Sequence, residues 1–250
     1  MNEETGLNIP SFITVRTDSS RLQRKCLLPF GEGNVLEHII RRTKHYKLEP
    51  IVCTTTEASD DIVKEISQKE RAKCFRGSKI NKLKRWLDCC CNFDVLAFHT
   101  IDADDPFFDG HQVEKSFRLL QQGFDVVFPP DSSSMGGASV GYSLTRDIVS
   151  RCCESIGEDE DTEMMWSYLK KLPGLRQTKL PEEDANPMLL RLTLDYEEDY
   201  WLLRSIQRIV GSLASRREVE DLFRRNPDLY LINWFRSKEW KDKQVAKELK

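Results

Sequence analysis

The sequence contains no long apolar run. No stretch stays apolar over the roughly 18 residues that a membrane-spanning helix needs, so we expect no membrane partner. The chain opens on Met-Asn-Glu-Glu-Thr, which is acidic and lacks the apolar core of a secretory signal. An excess of positive charge is also missing, because 38 Lys and Arg stand against 41 Asp and Glu, giving a net charge of −3. These absences predict a cytoplasmic protein without a broad surface for nucleic acid.

Histidine is scarce, and cysteine pairs with metal-site spacing are missing. Four histidines occur in 250 residues, and none is an evident catalytic base. The eight cysteines include adjacent runs at 89–91 and 152–153, without the Cys-x-x-Cys spacing of a zinc site. We interpret them as reduced thiols, mostly buried as small apolar side chains. The length suits one α/β domain, or one domain with a small appendage.

Strand and helix patterns alternate through the first half of the chain. Runs typical of buried strands occur at 12–15, 50–54, 73–75, 93–101 and 124–128. Apolar residues recur at helical spacing over 35–46, 59–70, 82–91 and 112–122. Asn34 is the predicted N-cap of the first helix. The alternation predicts an α/β fold with three layers, built on a mostly parallel, doubly wound sheet.

The second half of the chain is less regular. It shows a turn-rich loop at 131–137, a strand at 140–144, helices at 145–155 and 163–171, an acidic loop at 157–162, a late strand at 189–194, and helices at 197–210 and 217–225. We expect residues 1–10 to be a disordered lead, 11–233 to form a single domain, and 234–250 to be a charged tail.

Polar sets follow three of the predicted strands. A basic, hydroxyl-rich loop follows the first strand. It contains four basic residues and one acid, Asp18; the basic residues are Arg16, Arg21, Arg24 and Lys25. Residues 54–56 are three threonines after the second strand, and 102–105 carry three aspartates after a later one. The carboxyl ends of parallel strands lie at one edge of the sheet, where ligands bind. We therefore expect one site, with the basic loop holding phosphates.

The aspartates at 102, 104 and 105 support two readings. Carboxylates this close repel one another, and Mg²⁺ suits them because it prefers hard oxygen ligands together with substrate phosphates. A solvated acidic loop, or an aspartate that caps the next turn, fits the residues equally well.

The basic loop also resembles a known signature. Arg16-x-x-Ser19-Ser20-Arg21-Leu22-x-x-Lys25 is similar to Arg-x-x-Ser-x-Arg-Leu-Pro-Gly-Lys of the sugar-acid cytidylyltransferases. These include CMP-KDO synthetase, the acylneuraminate cytidylyltransferases and the spore coat polysaccharide biosynthesis protein F group, which the chain resembles most. Gln23-Arg24 replaces the usual Pro-Gly. Further blocks similar to the family, in the right order, begin at Val52, Phe75, Asp104, Arg191 and Asn226.

The resemblance implies a nucleotide-diphospho-sugar transferase-like, Rossmann-like fold and the transfer of CMP from CTP to a sugar acid or related acceptor, with release of pyrophosphate. Such products are precursors of surface polysaccharides or glycoconjugates. It implies a homodimer, with an insert over about 131–186 that serves dimerisation and the acceptor. The implied nucleotide-binding residues are Arg16, Ser19, Arg21, Lys25, Thr54, Arg76, Gly77, Ser78 and Asp104. The implied catalytic residues are Arg16, Arg21, Lys25 and Asp104, and the implied Mg²⁺ ligands are Asp104 and Asp195.

Two other functions remain open from the sequence. Asp102-Ala103-Asp104 is formally the Asp-x-Asp motif of metal-dependent glycosyltransferases, although the basic loop suits a triphosphate better than a sugar diphosphate. A non-catalytic relative is the second alternative, because loss of glycine from the loop hinders backbone approach to a phosphate. The charge of Arg24 is a candidate compensation for that loss. Asp199, near the start of a predicted helix, is interpreted as a favourable helix-terminal charge.

Overall fold

The computed structural model describes residues 8–157, 159–239 and 242. The strands are β1 Pro10–Thr14, β2 Pro29–Phe30, β3 Gly33–Asn34, β4 Glu49–Thr55, β5 Lys73–Gly77, β6 Ala97–Asp102, β7 Val126–Phe128, β8 Ser143–Thr145 and β9 Gln177–Lys179. The α-helices are α1 Val35–His45, α2 Asp61–Lys69, α3 Lys82–Phe93, α4 Gly110–Leu120, α5 Arg146–Glu154, α6 Met165–Leu169, α7 Glu197–Val210 and α8 Arg216–Arg225.

Within the described residues, seven of the strands form one sheet in the order β5-β4-β1-β6-β8-β7-β9. The pairs β4–β5, β1–β4, β1–β6 and β7–β9 are parallel, whereas β8 runs antiparallel to both its neighbours. The mostly parallel sheet predicted from the alternation is therefore confirmed. β1 lies between β4 and β6, so the loops that leave these three strands share one edge.

Helices cover both faces of the sheet. Neighbouring residues of β1 point to opposite sides, since Ile13 packs with α1, α2, α4, α7 and α8, and Phe12 packs with α3, α5 and α6. The same alternation separates Val52 from Ile51 in β4. This arrangement confirms the three-layer α/β class, and burial of both faces explains why the strands are so apolar.

Several predicted boundaries are wrong, each for a local reason. The strand expected at 93–101 begins only at Ala97, because α3 continues to Phe93 and ends at Asp94 in the left-handed conformation. The late strand at 189–194 does not form. Its backbone instead makes separate hydrogen bonds, from Leu192 N to Gly136 O at 2.8 Å and from Leu194 N to Asp104 O at 2.7 Å. Single bonds to different partners satisfy the backbone without building a ladder.

The ends of the domain also differ from the expected boundaries. Ile9 is buried and Pro10 begins β1, so the disordered lead expected over 1–10 does not include residues 8–10. Residues 1–7 of that prediction lie outside the described residues. At the other end, Arg236 of the expected charged tail packs back on α7 through two hydrogen bonds to Glu198. Residues 240, 241 and 243–250 lie outside the described residues. None of the described helices is long and apolar enough to cross a membrane.

Helix α1 begins as its sequence predicts. The Asn34 side chain accepts a hydrogen bond from Glu37 N at 2.9 Å, and the Glu37 carboxylate accepts one from Asn34 N at 2.8 Å. This reciprocal pair satisfies backbone N–H groups that the first helical turn leaves open. α1 in turn supports the edge of the site, because His38 Nε2 donates to Pro106 O at 2.7 Å and Arg42 Nε donates to Phe108 O at 2.8 Å.

Candidate active site

A cleft of about 820 Å³ opens at the carboxyl ends of β1 and β6. The strands place its walls, since Thr14 pairs with Asp102 across β1 and β6. The basic loop that follows β1 therefore lies beside the acidic loop that follows β6. The turn at Ser133–Gly137, the start of α6 and strand β9 also contribute to the lining. The volume is typical of a site for a small molecule.

Lys25 joins the two acids that the resemblance singled out. Its Nζ donates to Asp104 Oδ2 at 2.6 Å and to Asp195 Oδ1 at 2.9 Å. Arg21 Nη2 adds a third contact, to Asp195 Oδ1 at 2.6 Å. The fold thus gathers four groups from three distant segments of the chain.

The charges of this cluster stabilise one another. Burial lowers the pKa of Lys25, but the carboxylates of Asp104 and Asp195 outweigh it and raise the pKa above its ordinary value. Burial raises the pKa of Asp195, yet Lys25 and Arg21 bring it down to about 2. Lys25 is therefore a fixed cation at neutral pH, and Asp195 a fixed anion.

A second acidic set lies beside this cluster. Asp102, Asp104 and Asp105 each offer one carboxylate oxygen, and these oxygens lie within 4.8 Å of one another. Asp195 is not part of that trio. Burial, and then the charges of Asp104 and Asp102, raise the pKa of Asp105 well above its ordinary value. Lys25 pairs with Asp104 and Lys82 pairs with Asp102, and the three carboxyl groups form an all-oxygen donor set that fits a hard divalent cation such as Mg²⁺.

Asp195 is held in place by a buried network. The Asp199 carboxylate accepts from the backbone N–H groups of Asp195 at 3.0 Å and Tyr196 at 2.9 Å, and from two nitrogens of Arg191 at 2.8 Å each. Asn233 Nδ2 donates to the same carboxylate at 2.9 Å. The Arg191 and Asp199 side chains are both fully buried. Asp199 lies in the first turn of α7 and caps its N-terminus, as the helix-terminal interpretation predicts, but it is also fully buried and paired with Arg191 and Asn233, which that interpretation did not include.

Two further predicted residues line the cleft. Arg16 is exposed, and its Nη2 lies 3.6 Å from the Glu163 carboxylate. Ser19 lies in the same loop and is half-buried. With Arg21, Lys25, Asp104 and Asp195, the structure brings together six of the predicted site residues.

The other four predicted nucleotide-binding residues are not among those that line the cleft. Thr54 is fully buried in β4, and Arg76 binds Thr55 O at 2.8 Å and the Asp61 carboxylate at 2.6 Å. Packing explains why residue 77 is a glycine, because a Cβ there would lie 2.8 Å from the Phe75 ring. Ser78 O accepts from Arg85. A nucleotide-binding role for this set stays a prediction.

Sequence reasoning missed several cleft residues, three of which bear on the chemistry of the site. Lys82 and Arg85 lie on α3 and are almost fully buried, and Tyr142 lies between β8 and the turn before it. Burial and the nearby charge of Asp102 raise the pKa of the Tyr142 phenol. A signal for the first two was present, since two basic residues three apart share one helix face with Trp86.

Comparison with known proteins identifies the family of this chain. The family model for cytidylyltransferases matches residues 11–229. This chain belongs to the cytidylyltransferase family. The resemblance inferred from the sequence blocks is thereby confirmed, and the family makes the chain a nucleotidyltransferase.

Individual relatives match this chain along nearly their whole length. The spore coat polysaccharide biosynthesis protein SpsF of Bacillus subtilis is 27% identical over 229 residues, which cover 86% of this chain and 94% of that protein. The structure of a cytidylyltransferase from Leptospira borgpetersenii superposes with a TM-score of 0.78 at 21% identity, covering 90% of this chain and 97% of the other. A CMP:2-keto-3-deoxy-manno-octonic acid synthetase solved with CTP gives a TM-score of 0.62 at 14% identity, covering 81% and 99%. These structural matches support the fold.

Proposed function

We propose that this cytidylyltransferase moves CMP from CTP to a sugar acid or related acceptor and releases pyrophosphate. The relation to the spore coat protein of Bacillus subtilis supports a product used in polysaccharide synthesis. The observation that carries the proposal is the Lys25 ammonium between Asp104 and Asp195, with Arg21 beside it, in a cleft at the carboxyl edge of the sheet.

The reaction requires positioning and charge neutralisation more than covalent help from the protein. An acceptor oxygen attacks the α-phosphorus of CTP, the bond from the α-phosphorus to the bridging oxygen breaks, and pyrophosphate leaves. Negative charge builds on the α-oxygens and on the leaving group. Arg16, Arg21 and Lys25 supply the donors that hold the triphosphate and offset that charge. Lys25 and Arg21 meet this need best because Asp195 fixes both of them.

Magnesium is part of the proposal. The residues that would hold it are Asp104, with Asp195 as predicted from the resemblance, and the neighbouring acids of the trio. When bound, Mg²⁺ would act as a Lewis acid and orient the phosphates. The position that Lys25 now shares between Asp104 and Asp195 shows that this pair accommodates a positive charge.

The proposal is tested by pyrophosphate release from CTP with Mg²⁺ across a panel of sugar acids, amino sugars and sugar phosphates. We expect turnover with at least one sugar acid. Asp104→Asn should abolish it without loss of the folded state, whereas Asp88→Asn, on the outer face of α3, should retain it. Release that does not depend on Asp104, or the absence of release with every acceptor, would contradict the proposal.

A further inference from the structure

Lys82 is a buried lysine whose ammonium faces the cleft. It occupies the first position of α3, and its side chain is 9% exposed. Its Nζ lies 3.3 Å from Asp102 Oδ1 and 5.0 Å from the centre of the Trp86 ring. Trp86 is fully buried and its Nε1 donates to Thr14 Oγ1 at 3.0 Å, so the platform beneath the lysine is rigid.

This position is costly for a cation. Arg85 lies three residues further along the same helix and is 2% exposed, so two like charges share one buried face. Burial and Arg85 both lower the pKa of Lys82, but Asp102 and Glu163 outweigh them and keep the lysine charged. A buried charge is expensive unless its hydrogen bonds are made.

The hydrogen bonds of Lys82 are only partly made. An ammonium has three N–H donors. Among the described residues, Lys82 has one acceptor, at 3.3 Å, whereas Lys25 has two, at 2.6 and 2.9 Å. Arg85 Nε is also buried, and it has no hydrogen-bond partner among the described residues. The α3 side of the cleft therefore presents spare donors.

The two lysines belong to segments that pack on opposite faces of the sheet. Cys26, next to Lys25, packs in the core cluster with α1 and α7, whereas Leu83, next to Lys82, packs in the cluster with α3 and α5. Lys25 binds Asp104, and Lys82 binds Asp102, two residues before it. A phosphate group in the cleft between the two lysines would thus meet a cation from each side.

We propose that Lys82 binds the nucleotide, donating from its ammonium to an oxygen of the α-phosphate. This inference rests on the proposed function, because it takes the ligand of the cleft to be a cytidine nucleotide. The alternative role for Lys82 is to neutralise Asp102 only. The two roles differ in what happens when both residues lose their charge.

Calorimetric affinities of cytidine, CMP, CDP and CTP, measured in Mg²⁺, test the proposal. Lys82→Met keeps the length and apolar stem of the side chain. It should weaken binding of all three nucleotides by about tenfold or more, the usual size for a charge-assisted hydrogen bond, and leave cytidine unchanged. Lys82→Arg should restore part of the affinity. Lys84→Met, on the same helix but paired with Asp88 away from the cleft, is the matched control and should bind like the unchanged protein.

The double variant Lys82→Met with Asp102→Asn separates the two roles. If Lys82 binds the phosphate, the double variant stays at least tenfold weaker for CMP than Asp102→Asn alone. Recovery to the Asp102→Asn value would overturn the proposal, as would unchanged CMP affinity in Lys82→Met or an equal loss for cytidine. If the unchanged protein binds no cytidine nucleotide, the proposed function fails and this inference fails with it.

A stability measurement guards against misfolding. Because the Asp102 side chain is 49% exposed and can be solvated once Lys82 is replaced, the melting temperature of Lys82→Met should stay close to that of the unchanged protein. Weaker CMP binding in a variant of undiminished stability supports the proposal. If Lys82→Met unfolds at a lower temperature, Lys82→Arg decides, because loss of CMP binding despite the retained charge would overturn it.

Discussion

Arg24 is the residue at which this chain departs most clearly from the family signature. Its backbone lies in the left-handed region, with φ of 50° and ψ of 34°, a conformation that glycine adopts without strain. Arg24 is not among the residues that line the cleft, so its charge does not compensate there for the lost glycine. A residue with a Cβ adopts this conformation at an energetic cost.

Arg24→Gly should therefore raise the free energy of unfolding by about 1 kcal/mol, because it removes the left-handed penalty of a residue with a Cβ. Chemical denaturation measures this change. Gln23→Gly is the control, since Gln23 has no positive φ, and that variant should lose stability. Destabilisation by Arg24→Gly would show that the arginine side chain contributes more than its backbone costs.

A second prediction concerns the ion pairs of Lys25. Lys25→Met leaves Asp104 and Asp195 facing each other without the cation between them, which should cost roughly 3 kcal/mol in the absence of divalent ions. Mg²⁺ should then raise the melting temperature of this variant more than that of the unchanged protein. An equal response to Mg²⁺ in the two proteins would argue against metal binding by this pair.

At the scale of elements, the start of α7 is joined to two separate parts of the chain. Asp199 binds Arg191 before the helix and Asn233 beyond α8, and it fixes the backbone N–H of Asp195. The position of one site carboxylate therefore depends on the C-terminal segment. We expect damage to this network to disturb both folding and the site.

Asp199→Asn should lower the free energy of unfolding by about 3 kcal/mol, since it leaves the buried Arg191 guanidinium with only the longer ion pair to Asp195, at 3.7 Å. Denaturation and nucleotide binding by the surviving folded protein provide the measurement. Glu198→Gln is the neighbouring control, because its partner Arg236 is 30% exposed and such pairs contribute less than about 1 kcal/mol. Similar losses in the two variants would mean that burial of the network matters little.

Elements with a strong local pattern were predictable, and those defined by distant partners were not. The strands around β1 and the helices α1 and α7 follow apolar periodicity closely. The segment 189–194 is apolar enough for a strand, but its backbone bonds lead to Gly136 and to Asp104 singly. The apolar pattern within the segment cannot predict hydrogen bonds to such distant partners.

In the site, too, residues within a local sequence pattern were predictable, whereas a residue placed by tertiary packing was not. The signature after β1 placed Lys25 and Arg21, and the family blocks placed Asp104 and Asp195, which the fold brings into contact. Lys82 was overlooked because a lysine on an amphipathic helix normally faces solvent. Its burial follows from the packing of α3 on the sheet, and the one hint in the sequence was the helix face that Lys82 shares with Arg85 and Trp86.

At the scale of the whole molecule, buried neutral histidines link stability to pH. Burial lowers the pKa of His38 to about 4, although its bond to Pro106 O opposes the shift, and burial lowers that of His99 to about 3. Both are neutral in the folded protein at pH values where the unfolded chain, with an ordinary value of 6.5, takes up protons. Stability should therefore fall as the pH drops from 6.5 towards these values.

His38→Gln tests this link, because the Gln amide N–H replaces Nε2 as donor to Pro106 O without titrating. Between about pH 6 and pH 4.5 the slope of unfolding free energy against pH should decrease by about 1.4 kcal/mol per pH unit relative to the unchanged protein. Urea denaturation at several pH values provides the measurement. The exposed His45 offers the control His45→Gln, which should keep the original slope. An unaltered slope in His38→Gln would mean that His38 does not carry this dependence.

The use of CTP by this protein is tested most directly by a thermal-shift panel of CTP, UTP, ATP, GTP and UDP-glucose, each with and without Mg²⁺. A ligand at a hundred times its Kd stabilises the folded state by about 2.7 kcal/mol, which such a panel detects. We expect CTP to stabilise the protein more than the other nucleotides do, and Mg²⁺ to increase that stabilisation. Stabilisation by UDP-glucose instead of CTP would favour a glycosyltransferase, and no shift with any ligand would favour a non-catalytic relative. Either result would contradict the proposed transfer of CMP from CTP.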